Sequence, residues 1–323
     1  MLPRKGHGKA PDLGRRDPTE KTRLLLDDEA VMMKAPSYVI ITPVRNEEAT
    51  IGITIESVIH QTILPKEWVI VSDGSTDRTD EIVKMYASRN TFINFLRLEN
   101  RPVRNFASVV FATESGLAAL KTTDYDFIGL LDGDIQFTND YYEQMIQRFS
   151  KYPKLGLAGG LVIDCYQGQR RRSVQSLQDV AGGVQFFHRK CFASLGGLVA
   201  VPEGGWDTIT CVEARRHGFH TRTFADIEVD HLKPRNISEG GILRRYRQLG
   251  VREYALGNHP LFELVKCAHC CFEYPFGIGG LMRFVGYLGC YVTRRKRILS
   301  EEIIRFIRRE QLNRVFRLLR SDG

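Results

Sequence analysis

The sequence predicts an α/β fold built on a mainly parallel sheet with helices on both faces. Two observations carry this. Short apolar runs alternate with segments of helical period from about residue 38 to about residue 165, and polar clusters fall where the runs end. YVIITPV (38–44) is the first strand, and NEEATIGITIESVIHQ after it sets Ile51, Ile55, Val58 and Ile59 at helical spacing. EWVIVSD and TDEIVKMYAS form the second strand and helix, INFLRLE (93–99) and FASVVFATESGLAAL the third pair. DFIGLLDGD and NDYYEQMIQRFSKY are the fourth pair, and LGLAGGLVI is the strand that follows. Strand and helix repeated in this way imply parallel pairing, because parallel neighbours need a crossover between them.

Sheets of this class take ligands at the carboxyl ends of their strands. PVRNEE, VSDGSTD and DGD all stand at such ends. Asp-Gly is ordinary turn chemistry, but Asp132 and Asp134 flank a single glycine, and two carboxylates that close raise one another's pKa unless a cation neutralises them. A nucleotide-diphosphate sugar would use what these ends supply. Asp73 can accept a hydrogen bond from a base N–H, and Asp132 and Asp134 offer oxygen ligands for Mg²⁺ or Mn²⁺ shared with a diphosphate. Asp73 reads also as a turn before a helix N-cap at Ser75 or Thr76.

After about residue 165 the rhythm breaks, with glycine pairs at 182–183, 196–197, 204–205 and 240–241, so mixed strands and long loops are expected. From Pro260 the chain turns helical and apolar. The glycine-rich stretch 272–293 holds Glu273, Pro275 and Arg283 and makes a poor membrane-spanning helix. ILSEEIIRFIRREQLNRVFRLLR is amphipathic and basic. It suits a membrane surface, or it packs on the protein's own body with a solvated basic face.

The 323 residues, 26% charged and 43% hydrophobic, have an ordinary globular composition. The net charge of +8 is concentrated at the end: from Arg283 onward eleven Lys or Arg face four Asp or Glu. Such a region suits an anionic surface, phospholipid headgroups or nucleic acid. Nucleic acid does not explain acids at every strand end, and no nucleic-acid partner is expected. Seven cysteines, an odd number, and no secretory signal at the N-terminus argue for a reducing cytosol. CAHCC (267–271) has no second CxxC or His pair at zinc spacing, so it reads as a packed helix face and not a metal site.

Taken in order, TPVRNEEATIGITIESVIHQT, VSDGSTDRTDEIV, LLDGDIQF, GGVQFFHRKCFASLGG and GGWDTITCVEARRHGFHTRTFADIEVDH resemble the family-two inverting glycosyltransferases of GT-A type, over about Tyr38 to His231. The resemblance implies a GT-A domain over 37–235, preceded by a flexible basic arm (1–36) and followed by a helical, basic C-terminal region (236–323). It implies nucleotide-sugar contacts from Pro43, Arg45 and Glu47 at the first strand end, from Asp73 to the base, and from Asp132 near the ribose. Asp134 is then the principal ligand of Mg²⁺ or Mn²⁺, with Asp132 and His231 beside it.

The family's catalytic base is usually the second acid of a Glu-Asp pair. Asp207 matches it, although Trp206 fills the partner position and Ile209 and Glu213 stand where an acid and an Arg are common. Glu203 and Glu213 are the reserves. Asp207 also reads as the N-cap of the helix TITCVEARRHG. Lys233 and Arg235 can neutralise diphosphate, as can Arg244, Arg245 and Arg247, which do not reproduce the QxxRW signature of processive synthases.

The activity implied is transfer of one sugar, with inversion, from a UDP- or GDP-sugar to the hydroxyl of a glycan or lipid-linked acceptor, such as a cell-surface glycan precursor. The enzyme would be cytoplasmic or peripheral on the inner membrane surface. The alternatives are a polyprenyl-phosphate glycosyltransferase and a non-catalytic, nucleotide-binding, membrane-associated scaffold.

Overall fold

The structure is a computed structural model that describes residues 35–99, 105–166, 168–172, 176–233, 241–272 and 275–321. The arm expected over 1–36 lies outside these apart from its last two residues, and Arg235 lies outside them too. The strands are β1 (Tyr38–Val44), β2 (Glu67–Asp73), β3 (Ile93–Leu98), β4 (Phe127–Leu131), β5 (Ile135–Gln136), β6 (Leu155–Tyr166), β7 (Gln169–Arg172), β8 (Val184–His188) and β9 (His220–His231). Helices α1 (Ile51–Ile59), α2 (Thr79–Ala87), α3 (Ser108–Ala118) and α4 (Tyr141–Lys151) connect the first strands. Then come α5 (Arg189–Ser194), α6 (Trp206–Arg216), α7 (Gly241–Ala255), α8 (Pro260–Cys270), α9 (Ile278–Val292) and α10 (Glu301–Ser321).

One sheet runs in the order β3-β2-β1-β4-β8-β6-β9-β5, with β7 paired to β6. β3, β2, β1 and β4 are mutually parallel, as the strand–helix rhythm requires. β8 then runs antiparallel between β4 and β6, and β9 returns parallel to β6, which is the mixed half foreseen after residue 165. Successive residues Tyr38 to Ile41 are all fully buried, as are Trp68 to Val71. Side chains of a strand point alternately to opposite faces, so both faces of the sheet are covered here. Tyr38 stacks on Tyr142 of α4 with ring centroids 4.5 Å apart, and Trp68 Nε1 donates to Thr42 Oγ1 at 2.9 Å, so the large rings fill the core without stranding a polar group.

The loops after β1 and β2 are locked together. Glu47 N–H donates to Thr79 Oγ1 at 2.7 Å, Thr76 N–H to Asn46 Oδ1 at 2.9 Å, and Arg78 N–H to Glu48 Oε2 at 3.1 Å. Asn46 takes a left-handed backbone (φ 52), a conformation Asn tolerates better than most residues. The N-cap expected at Ser75 or Thr76 is not formed. α2 starts at Thr79, where the Asp77 carboxylate accepts from Thr79 N–H at 3.0 Å, and Ser75 is spent on Ser72 and Asn46.

The terminal helix α10 is not free to lie elsewhere. Its apolar positions Ile304 and Ile307 pack with Ile209 and Val212 of α6, and Arg215 of α6 pairs with Glu310 at 2.8 Å. Of the two readings of this helix, packing on the body is the one seen. α7 and α9 cross so closely that a Cβ on Gly250 would meet the Arg283 carbonyl at 1.9 Å, and one on Gly286 the Arg247 carbonyl at 2.1 Å. Between them lies a buried ion cluster: Arg283 donates to Glu263 at 2.7 Å and to Glu253 at 2.8 Å, and Lys266 and Arg252 also reach Glu253. Burial alone would raise the Glu253 carboxyl, but Lys266, Arg252 and Arg283 hold it well below the usual carboxylate range. Cys267 and Cys270 are buried in α8, while His269 is exposed, as the packed helix face expected there places them.

Removing one member of a buried ion cluster leaves its partners charged and unpaired, at about 3–5 kcal/mol. Arg283→Met is therefore expected to lower the urea unfolding free energy by about that amount. A change below ~1 kcal/mol would mean that the cluster does not hold the helices together.

Candidate functional site

Parallel pairing in register brings the ends of β1, β2 and β4 to one edge of the sheet. Asp73 closes β2 and is 6% exposed, just before Gly74 in the left-handed region. Pro43 and Arg45 stand at the end of β1, and Arg45 has a buried guanidinium nitrogen, Nη1, with no protein partner. Asp132 and Asp134 follow β4. The chain turns at Gly133 beneath the β1 loop, where a Cβ would meet Val44 at 2.7 Å and Glu47 at 3.4 Å.

β9 completes the edge from far along the chain. β5 pairs antiparallel with it, Ile135 opposite His231, which sets His231 Nε2 3.4 Å from Asp134 Oδ2. β6 pairs parallel with it, Asp164 opposite His231, and Asp164 Oδ1 lies 3.1 Å from His231 Nδ1. The imidazole is held between two carboxylates. Two residues on, Lys233 Nζ reaches Glu47 Oε2 at 2.6 Å and the Asn46 carbonyl at 3.1 Å, tying the end of β9 to the β1 loop. Lys233 thus neutralises Glu47 in this state. Arg244 and Arg247 are exposed on α7, and Arg245 is half-buried there.

Asp207 comes to the same edge through a glycine pair. A Cβ on Gly183 would sit 2.4 Å from Asp132 Oδ2, and one on Gly182 would sit 3.2 Å from the Asp207 Cβ and 2.9 Å from the Trp206 ring. Only a backbone without side chains fits between these two carboxylates. The Gly183 carbonyl also accepts from Asp132 N–H at 3.0 Å. Gln185, fully buried, donates from Nε2 to the Asp207 carbonyl at 3.2 Å and holds the start of α6. The N-cap reading of Asp207 is corrected: the cap position is Gly205, in the left-handed region at φ 91, and Asp207 lies in the first turn of α6. There its charge still favours the helix, because the free N–H groups carry partial positive charge. Of the reserve bases, Glu203 pairs with Arg295, and Glu213 is held by Arg216 at 2.9 Å.

The site carries an excess of negative charge. Burial first, and the Asp134 carboxylate behind it, push Asp132 from 3.8 up to about 7; Glu47 and Asp207 add to the push, and His231 opposes it. Burial also raises Glu47 in spite of Lys233 and Thr50. Asp134 Oδ1 is buried with no hydrogen-bond partner. A buried carboxylate oxygen with no donor is costly. Among the described residues no three His, Cys, Asp or Glu side chains converge closely enough to hold a cation by themselves. Two carboxylates with the remaining oxygens from a bound phosphate are the donor set that Mg²⁺ or Mn²⁺ accepts, so the residues fit such an ion.

Residues 39–190 match the model of glycosyl transferase family 2. The chain carries a family 2 glycosyl transferase domain. Within that frame the poly-β-1,6-N-acetyl-D-glucosamine synthase of Staphylococcus aureus (strain COL) is 34% identical over 115 residues, 36% of this chain and 26% of that protein. The synthase of the same name from Staphylococcus epidermidis is 32% identical over 138 residues, 42% and 31% of the two chains. The chain thus spans about a quarter to a third of the length of these curated relatives. A mannosyltransferase from Pyrobaculum calidifontis, solved with GDP-Man and Mn²⁺, superposes with a TM-score of 0.54 at 16% identity, over 83% of this chain and 77% of that one. That likeness shows the shared GT-A fold of the glycosyl transferase domain.

Four contributors to this edge were not assigned a role from the sequence: Gly182, Gly183, Gln185 and Asp164. The glycine pair was visible as a pair, and GGVQ is part of a family motif, but only the packing shows that it separates Asp132 from Asp207. Asp164 gave no signal, since its partner His231 is 67 residues away and the parallel register between β6 and β9 is not written in either strand.

A raised pKa means that the folded chain binds the Asp132 proton more tightly than the unfolded chain does. The stability this contributes is whole below about pH 4 and is lost as the pH climbs through about 7. In EDTA, the melting temperature of the wild type is expected to fall between about pH 5 and about pH 8 more steeply than that of Asp132→Asn. Equal slopes would contradict the crowding of carboxylates described above.

Proposed function

We propose that the chain transfers a single sugar, with inversion, from a nucleotide-diphosphate sugar to an acceptor hydroxyl, with Mg²⁺ or Mn²⁺ bound at Asp134 and Asp132. The observation that carries this reading is the buried, unpartnered Asp134 Oδ1 in a crowd of carboxylates at the strand ends of a family 2 domain. The domain's relatives include enzymes named for N-acetylglucosamine polymers, and its fold neighbour was solved with GDP-Man and Mn²⁺. Both support a UDP- or GDP-linked donor and a glycan product, such as a cell-surface polysaccharide precursor on a lipid-linked acceptor. No described helix is long and apolar enough to cross a membrane, and we place the enzyme at a membrane's cytoplasmic surface.

The residues divide the work. Asp73 accepts from the base, Arg45 brings its unpartnered nitrogen to the donor, and Pro43 and Glu47 shape the loop beneath it. Asp134, with Asp132 and His231, would hold the cation, which when bound stabilises the charge that grows on the departing diphosphate. Asp164 fixes the ring of His231. Lys233 is positioned to move from Glu47 to phosphate once the donor is bound. Asp207 takes the acceptor proton as the hydroxyl attacks the anomeric carbon from the face opposite the leaving group. Gln185 and the Gly182–Gly183 backbone keep Asp207 apart from Asp132, so it stays available as the base while Asp132 is engaged with donor and cation.

A second reading is favoured by one observation. A cavity of about 340 Å³ beside the Pro202–Gly205 loop is lined by Arg244, Arg247 and Arg295 with Glu203, Phe106 and Val251. Arg244 and Arg247, beside the Arg295–Glu203 ion pair, suit a phosphate, and a lipid phosphate could itself be the nucleophile. Such an acceptor arrives already ionised and has no proton for Asp207 to take.

Turnover of UDP-, GDP- and dTDP-sugars with Mn²⁺, Mg²⁺ or EDTA, with and without acceptor, tests the assignment. The expected result is release of one nucleoside diphosphate, abolished by EDTA and in Asp134→Asn. Asp207→Asn is expected to bind donor normally and to lose about 10²–10⁴-fold in transfer to a hydroxyl. Full activity in Asp134→Asn would remove that residue from the site. A near-normal rate in Asp207→Asn with a lipid phosphate acceptor would establish the second reading instead.

A further inference from the structure

α9 is built inside out. The side it turns to α7 and α8 carries Gly279, Gly280, Gly286 and the charged Arg283, all buried. The side it turns away carries Ile278, Leu281, Val285, Leu288 and Val292, each between 46% and 77% exposed. Their spacing of three, four, three and four residues keeps them on one stripe along the helix. Phe272 and Phe276 stand just before that stripe, 81% and 70% exposed. Leu264 and Val265 of α8 are exposed as well. In water an amphipathic helix puts its apolar stripe inward. A contiguous exposed patch of this kind marks a surface that meets something apolar.

The charge around the stripe says what that is. Among the described residues from 241 to 298 the only carboxylates are Glu253 and Glu263, both buried in the cluster with Arg283. The exposed charges among those described residues are all positive, Arg244 and Arg247 on α7 and Arg294, Arg295 and Lys296 directly after α9; Glu273, between the two phenylalanines in sequence, lies outside the described residues. A second copy of this surface would bring like charges together around the apolar contact. An anionic bilayer offers the reverse, an apolar interior beneath negative headgroups.

We propose that the outer face of α9, with Phe272 and Phe276, seats the protein on an anionic lipid surface, the stripe entering the headgroup–acyl boundary and the arginines after Val292 lying at headgroup level. This rests on the transferase reading only in giving that reading a place to meet a lipid-borne acceptor: Arg295 leads from the end of α9 into the arginine-lined cavity beside the loop that precedes Asp207. The element that meets the membrane is therefore α9, and not the basic terminal helix α10.

The test is flotation of the full chain with phosphatidylcholine vesicles, with and without phosphatidylglycerol, at low and high salt. Wild type is compared with Leu281→Glu/Val285→Glu, two exposed positions outside the catalytic machinery. Wild type is expected to float with the anionic vesicles and to be released in part by salt. The variant is expected to bind about tenfold or more weakly while keeping its melting temperature and its rate of donor turnover. Wild type that ignores both vesicles, or a variant that floats equally well, would overturn the proposal. So would a dimeric wild type that the substitutions make monomeric, since a second copy would then cover the stripe. Flotation with no donor turnover in either protein would support the lipid seat and count against the transferase reading, so the two failures are distinct.

Discussion

Carboxylates brought together at one edge of a sheet repel, and the rest of this site is arranged around that repulsion. β1, β2 and β4 end level with one another because they are parallel and in register, and an acid closes or soon follows each: Glu47, Asp73 and Asp132. Without compensation the arrangement would cost stability, as the upward push on Asp132 and Glu47 records. The protein supplies part of the remedy. Lys233 crosses from β9 to Glu47, and His231, held by Asp164, faces Asp134. The remainder is unmet, and the buried Asp134 Oδ1 above all has no hydrogen-bond donor. Destabilisation kept at a site in this way is a usual sign of function, because nothing in the folding of the chain requires it.

Much of the fold was legible before any coordinates. Apart from the two-residue β5, every strand and helix from Tyr38 to about residue 163 falls where apolar periodicity sets it, because each is long enough to show its period and is bounded by turn residues. Asp73, Asp132 and Asp134 could be picked out because a strand end is visible in sequence. What could not be read was pairing between distant segments: β8 inserted antiparallel beside β4, β9 against both β5 and β6, and the glycine pair between Asp132 and Asp207. Capping was misread at Ser75, Thr76 and Asp207 for a local reason. Each is a good cap residue, but at each place another residue already ordered the turn, Asp77 in one case and Gly205 in the other.

The C-terminal helices reverse the usual reading of amphipathicity. In α10 the apolar stripe suited either a membrane surface or the protein's own body, and it is used against α6, the helix that carries Asp207. In α9 the glycines helped to make the stretch a poor membrane-spanning helix. They are instead what lets α9 approach α7 and α8 at backbone contact. The ion cluster of Arg283, Glu253 and Glu263 then occupies the inside, and the large apolar side chains are left outside. α10 also links the two regions, since its Glu310 pairs with Arg215 on α6 while its Gln311 bonds Asn258 at the edge of the ion cluster.

The central claim is that the acids at the strand ends hold a divalent cation together with a diphosphate. Electron paramagnetic resonance of Mn²⁺ measures this directly, because the sharp signal of the free ion is lost when it is bound. The account predicts weak binding of Mn²⁺ alone, a large further loss of free signal when UDP or GDP is added with wild type, and no protein-dependent loss with Asp134→Asn. Equal binding by wild type and Asp134→Asn in the presence of either nucleotide would contradict it.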